Sequence, residues 1–152
     1  METIKTLYPK LKNFKDSELT REPVPLSLVV NIIPSIAVVQ EIRTFLGLPI
    51  TIHSGYRSEE YNSKIPGSST NSMHIQFNAI DFTPEGFDSK RIAKLYKEIE
   101  RGKFQPVVSW RGRNIQVTPK MMGLGLYNTF IHIDTRGLLG KDSARWDYRS
   151  KS

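Results

Sequence analysis

The apolar stretch that opens at Leu26 constrains the fold more than any other feature, because helices this greasy must be buried against a partner layer. Leu28, Val29, Ile32 and Ile33 predict one short helix, and Pro34 suits the first turn of a second. That second helix carries Ile36, Val39, Ile42, Phe45 and Leu46 on one side, and Gly47 is its natural stop. Ser27, Asn31, Pro34 and Ser35 interrupt the run from Leu26 to Val39, which is too short to span a membrane. The partner layer comes next: Leu48 to His53 alternates like a strand.

The remaining chain supplies the other elements. Gly55 to Asn71 is rich in Ser, Gly, Asn and Pro and reads as a long ordered loop, a length that usually signals function. Ile75 to Phe82 resumes strand character. Asp88 caps a helix from Ser89 to about Arg101, with Ile92, Leu95, Tyr96 and Ile99 as its buried stripe. Short β-rich pieces follow at 106–110, 114–117, 122–127 and 130–134. Residues 1–25, polar and broken by Pro9, Pro23 and Pro25, are expected to form an extended or loosely helical N-terminal arm. The expectation is one α+β domain over 26–152, its helices packed on a small antiparallel sheet.

Composition narrows the chemistry. With 152 residues and no cysteine, the chain can bury a single core but has no thiol catalysis and no cysteine-bound zinc finger. Its net charge of +7 favours anionic partners such as a cell wall. Lys10, Lys12, Lys15, Arg111, Arg113, Arg145, Arg149 and Lys151 are scattered, and no nucleic-acid-binding signature is present, so no nucleic-acid partner is expected. The start, Met1-Glu2-Thr3-Ile4-Lys5, has no apolar core of a signal peptide.

Among three histidines, two form a pattern with a carboxylate: His74 and Asp81 are seven apart, and His132 lies downstream in Phe130-Ile131-His132-Ile133-Asp134. Two imidazoles and one carboxylate make a three-ligand set that leaves zinc an open position for water, although other transition metals suit the same donors. Asp134 shares a strand face with His132. A lone histidine is more often a hydrogen-bonded structural residue, and the spare one, His53, is expected to be packed or exposed on its strand.

Ser54-Gly55-Tyr56-Arg57-Ser58, Asn62, Gly67, Ser72, His74, Ala79, Asp81, Gly125-Leu126-Tyr127, and His132-x-Asp134-x-Arg136-Gly137 stand in an order that resembles the zinc D-Ala-D-Ala carboxypeptidase family. That family includes phage L-alanyl-D-glutamate endolysins and is similar in fold to the hedgehog signalling domain. The resemblance covers about Leu26 to Trp146. It implies that His74, Asp81 and His132 bind Zn2+, that Arg57 lies in the substrate groove, and that Ser72 touches the metal shell or substrate. The Arg57 guanidinium suits a catalytic anchor for a peptide carboxylate, the alternative being a structural ion pair with Glu59 or Asp81. Tyr56 and Asn62 would hold the long loop in shape, and Trp146 would close over one end of the domain. The chain departs from the family pattern twice: Phe77 replaces a glycine, and Thr129 replaces an acidic general base. Asp134 is the substitute candidate for that base, or else orients a ligand histidine.

The implied function is hydrolysis of peptidoglycan stem peptides, at D-Ala-D-Ala or L-Ala-D-Glu, as in a phage or prophage lysis enzyme. Such an enzyme would be a monomer without a transmembrane segment. It would be held in the cytoplasm until release, or carried on a virion, and would act at the cell wall. The alternative is a catalytically inactive zinc-binding module of the same fold that binds wall or protein.

Overall fold

The computed structural model describes residues 3–69 and 71–149, so Thr70 of the long loop and Lys151 fall outside it. Helices α1 (Thr3–Leu7), α2 (Asp16–Leu19), α3 (Leu26–Val29) and α4 (Ile33–Leu46) precede strand β1 (Ile50–Ser54). After α5 (Glu59–Ser63) come β2 (Ala79–Pro84), α6 (Ser89–Glu100), β3 (Val107–Trp110), β4 (Arg113–Gln116), β5 (Gly123–Leu126), β6 (Ile131–Asp134) and β7 (Ala144–Asp147). The fold is α+β, as expected.

The main sheet runs β1-β2-β6-β5-β7. Its first four strands pair antiparallel, but β7 joins β5 in parallel, so the sheet is mixed rather than antiparallel. A one-turn 3-10 helix at Arg136–Leu139, ended by Gly140 at φ +82°, leads the chain from β6 to that edge. β3 and β4 form a separate hairpin turned by Arg111 and Gly112, both at positive φ, the geometry a two-residue hairpin turn requires.

One sheet face carries Ile80, Phe82, Leu124, Ile131 and Ile133, which pack with Ile32, Ile33, Ile36 and Ile42 of the helical layer. Helix α6 begins where its cap predicts, with the Asp88 carboxylate accepting from Arg91 N–H at 2.9 Å, and buries Ile92, Leu95, Tyr96 and Ile99. Helix α4 is buried on more than the one expected side: every residue from Ile33 to Gln40 is buried. The turn at Val30–Ile32 joins α3 to α4, and the resulting run Leu26–Leu46 is long and apolar enough to cross a membrane by length and composition. Here it serves as the core helix.

The cover on α4 is the N-terminal segment. Residues 1–25 were expected as an arm, yet Ile4, Tyr8, Leu11, Phe14 and Leu19 are buried in the common core. Their apolar spacing of three to five residues outweighs the polar residues between them. Gln40 of α4 fastens this segment by accepting from Lys12 N–H at 2.9 Å and Asn13 N–H at 3.1 Å. Farther on, Leu19 C=O accepts from Tyr56 N–H at 2.8 Å, and a Cβ on Gly55 would lie 2.2 Å from that carbonyl oxygen. Only glycine permits so close an approach.

Strand β2 starts at Ala79, not Ile75, because residues 72–77 turn tightly around His74. Phe77 sits at φ +51°, the left-handed region that favours glycine, the residue the resemblance leads one to expect there. Its ring is fully buried and meets Tyr56 edge-on at 6.0 Å. Burial thus holds a conformation that strains a side-chain-bearing residue by about 1–2 kcal/mol. Phe77→Ala should destabilise the fold by about 3–5 kcal/mol through the lost ring. Phe77→Gly should be milder by about 1 kcal/mol despite being smaller, because it relieves the strain. Urea denaturation of both variants checks the order; Ala milder than Gly would contradict it.

Candidate metal centre

The face of the sheet opposite the core carries the site. Asp81 on β2 lies directly across from His132 on β6, and His132 across from Gly125 on β5, which in turn faces Trp146 on β7. On the other side Asp81 pairs with Ser54 of β1, past a bulge between Ile52 and Ser54. Alternation sends Ile80, Phe82, Ile131 and Ile133 into the core and turns the row Ser54, Asp81, His132, Trp146 to one face. His74 joins this row from the 72–77 turn. One ligand atom from each of His74, Asp81 and His132 lies within 4.8 Å of the others, and all three residues are buried.

Hydrogen bonds select which ring nitrogens face inward. His74 Nδ1 lies 2.7 Å from the Gly55 carbonyl oxygen, so it must be the protonated nitrogen, and Nε2 is left 3.2 Å from Asp81 Oδ2. His132 presents Nδ1 to Asp81 Oδ1 at 2.9 Å and Nε2 to Asp134 Oδ2 at 2.8 Å. Each of the two histidines therefore has its outer nitrogen held by an oxygen, an arrangement that would orient imidazoles for a metal. The donor set fits a transition metal: two imidazoles, one carboxylate, and lone pairs converging on one point.

Asp134 does not stand where a general base would. It is fully buried behind His132; its Oδ1 accepts from the backbone N–H groups of Gly123 and Arg136, each at 3.1 Å. Arg136 grips both oxygens, Nε to Oδ1 at 2.9 Å and Nη2 to Oδ2 at 2.8 Å. Of the two roles expected for Asp134, the geometry supports orienting the ligand histidine. Glycine at 123 leaves room for this, since a Cβ there would lie 2.5 Å from Asp134 Oδ2. Thr129 is exposed, and its carbonyl accepts from the Thr83 hydroxyl.

The charged groups of the centre set one another's protonation. Burial alone would push the Asp81 carboxyl up, but the charges of His74 and His132 and their hydrogen bonds hold it well below the usual carboxylate range. Burial likewise raises Asp134, and His132 and Arg136 overcome it to hold the group at about 2. Between these two carboxylates, His132 is raised to about 9 although its burial acts in the opposite direction. In the metal-free state a proton on Nδ1 occupies the direction a metal would take.

Arg57 reaches the same point from the long loop. Its Nη2 is 3.6 Å from Asp81 Oδ2, while Nε donates to Ser54 Oγ at 3.0 Å and Nη1 to Asn62 Oδ1 at 3.5 Å. Asn62 is buried and also donates to Ser69 C=O at 2.7 Å, which holds the loop. Ser72, half-buried, accepts from His74 N–H at 3.2 Å and so shapes the ligand turn. His53 is exposed, with Nε2 2.7 Å from Thr83 Oγ1.

Several supports were not foreseen from sequence. Asn78, between the first two ligands, donates to Asn31 C=O at 2.9 Å and to Thr135 Oγ1 at 2.8 Å, and accepts from Thr135 N–H at 2.9 Å. It ties the turn, the α3–α4 junction and the end of β6 together. Trp146 packs its ring 4.9 Å from that of His132. The Gly123-x-Gly125 pair was the available signal, since both positions lie beside side chains crossing the sheet.

A family model described as peptidase M15 matches residues 12–134, a span that contains all three converging residues. The chain belongs to the peptidase M15 family. Comparison with curated proteins found no match. M15 peptidases are metal dependent, so the His74–Asp81–His132 group of this M15 peptidase is its candidate metal centre. The match also takes in residues 12–25, in line with their burial in the core.

Two outcomes follow from this centre. Asp134→Asn should lower metal affinity by about 10–100-fold, as loss of a ligand-orienting group does; unchanged affinity in a chelator competition would contradict the orienting role. The second concerns pH. Raised from 6.5 to about 9, His132 lends the metal-free fold stability that is complete below 6.5 and is lost as pH rises toward 9. Metal must displace the same proton, so metal affinity should rise over that window. Thermal melts should show the metal-free midpoint falling and the metal-induced increment growing from pH 6.5 toward 9. A flat metal-free midpoint would contradict it.

Proposed function

We propose that this M15 peptidase is a zinc enzyme that hydrolyses peptidoglycan stem peptides, at D-Ala-D-Ala or at L-Ala-D-Glu. The observation that carries the reading is the Arg57 guanidinium, held by Ser54 and Asn62 beside the converging ligands, 3.6 Å from Asp81 Oδ2. A fixed guanidinium at that distance can take a peptide carboxylate in two parallel hydrogen bonds and set the neighbouring amide at the metal. His74, Asp81 and His132 would hold the zinc, which supplies an activated water and polarises the scissile carbonyl. Asp134 and the Gly55 carbonyl keep the two rings aimed, and Ser72 keeps the His74 turn closed.

The net charge of +7 supports attraction to an anionic wall. In this reading the protein is a monomeric phage or prophage lysis enzyme, held in the cytoplasm until release or carried on a virion. A second reading, a zinc-binding module without hydrolysis, is favoured by Thr129 at the acid position and by Asp134 being turned away from the ligands' meeting point.

Mass spectrometry of sacculi and synthetic stem peptides separates the two. Zinc-loaded protein should release terminal alanine or cut at L-Ala-D-Glu, and chelated protein or His132→Ala should not. Arg57→Lys should raise KM by about tenfold, because lysine cannot make the paired contact. Tight zinc binding with intact peptides would replace the peptidase by the module.

A further inference from the structure

Beside the ligand row runs a second row of side chains on the same face, and it is aromatic. Tyr127 follows β5, two residues past Gly125, and its N–H donates to Phe130 C=O at 3.1 Å, carrying the β5–β6 pairing one step further. The rings of Tyr127 and Phe130 stack at 4.1 Å with 12° between their planes. Tyr148 closes on Tyr127 from the β7 side at 5.7 Å. The phenol is therefore held between neighbours rather than free to swing.

Trp146 links this aromatic row to the row of His132. Its indole lies over Gly125, where a Cβ would come within 2.3 Å of Nε1, and packs 4.9 Å from His132. Nε1–H donates to Tyr127 Oη at 3.1 Å. Indole has no acceptor, so the phenol must accept here and keeps its own proton to donate. Among the described residues that proton has no acceptor. Burial raises the phenol, the Trp146 hydrogen bond lowers it, and the field of the site reaches it through Asp81, which adds to the rise, and Arg57, which opposes it.

We propose that Tyr127 is a catalytic residue, its hydroxyl donating a hydrogen bond to the oxyanion that develops on the scissile carbonyl. The inference rests on the peptidase reading above. In the reaction the oxygen of water bonds to the carbonyl carbon, the carbon–nitrogen bond breaks, and the proton of water ends on the leaving amine. The phenol keeps its proton throughout and contributes by standing ready where negative charge appears. A neutral, prealigned donor of this kind would add to the stabilisation that the metal and Arg57 supply.

The experiment compares wild type with Tyr127→Phe and Trp146→Phe in the zinc-loaded full chain. It measures stem-peptide kinetics, zinc stoichiometry, thermal midpoint and calorimetric binding of a phosphinate dipeptide, a tetrahedral anionic probe. Tyr127→Phe should lose about 10²–10³-fold in kcat with little change in KM. It should bind the phosphinate more weakly by a matching factor while retaining zinc and its midpoint. Trp146→Phe, with the phenol still present but no longer bonded to the indole, should show a smaller loss in both readouts. Phosphinate affinity unchanged in Tyr127→Phe, a kcat within about threefold of wild type, loss of zinc, or a wild type that does not bind the phosphinate would each overturn the assignment. A wild type that binds the phosphinate through Tyr127 but cleaves no stem peptide would uphold Tyr127 and remove the substrate assignment instead.

Discussion

The pairing that sets Asp81 opposite His132 is the constraint on which the rest of the molecule turns. Strand side chains alternate, so a slip of one residue between β2 and β6 would turn one strand over, sending Asp81 or His132 into the core and that strand's two apolar side chains out of it. Ile80, Phe82, Ile131 and Ile133, all fully buried under the helical layer, make that slip prohibitive. The hydrophobic effect on one face thus specifies the chemistry on the other. The site inherits its precision from a core that contains none of its residues.

Such a row of charged groups is tolerable only because it is fully partnered. Two carboxylates and two imidazoles buried together would be unstable if any were isolated. Each has a counterpart: His74 with Gly55, His132 between Asp81 and Asp134, and Asp134 with Arg136. Among the described residues, no buried side-chain nitrogen or oxygen lacks a partner. The partners come from the long loop, three strands and the turn after β6, which spreads the cost of ordering the centre over much of the domain.

How far the sequence could be read depends on where the information lies. His74 and Asp81 were legible because their spacing is local, His132 only through the ordered motifs that carry the family resemblance, and α6 because Asp88 and its apolar stripe are local. The role of Asp134 was left open, since alternation gives its face but not which nitrogen of His132 it meets. Strand β7 was missed as a strand because Ala144-Arg145-Trp146-Asp147 has too little apolar content to signal one, and only pairing with β5 defines it. The N-terminal segment was underrated because Pro9, Pro23 and Pro25 broke the pattern that Ile4, Tyr8, Leu11, Phe14 and Leu19 carry. Their burial depends on α4, a partner that no window on the first twenty-five residues contains.

The contact of Leu19 with Gly55 and Tyr56 has a consequence for any shortened form of this chain. Gly55 C=O is the oxygen that orients His74, and Leu19 C=O takes the very next N–H, that of Tyr56. A fragment beginning at Leu26 would keep every ligand, every main-sheet strand and the core helix, and would look complete by motif. It would nevertheless have lost the brace behind its first histidine. The boundary of the working unit is thus drawn by a backbone hydrogen bond, not by the motif.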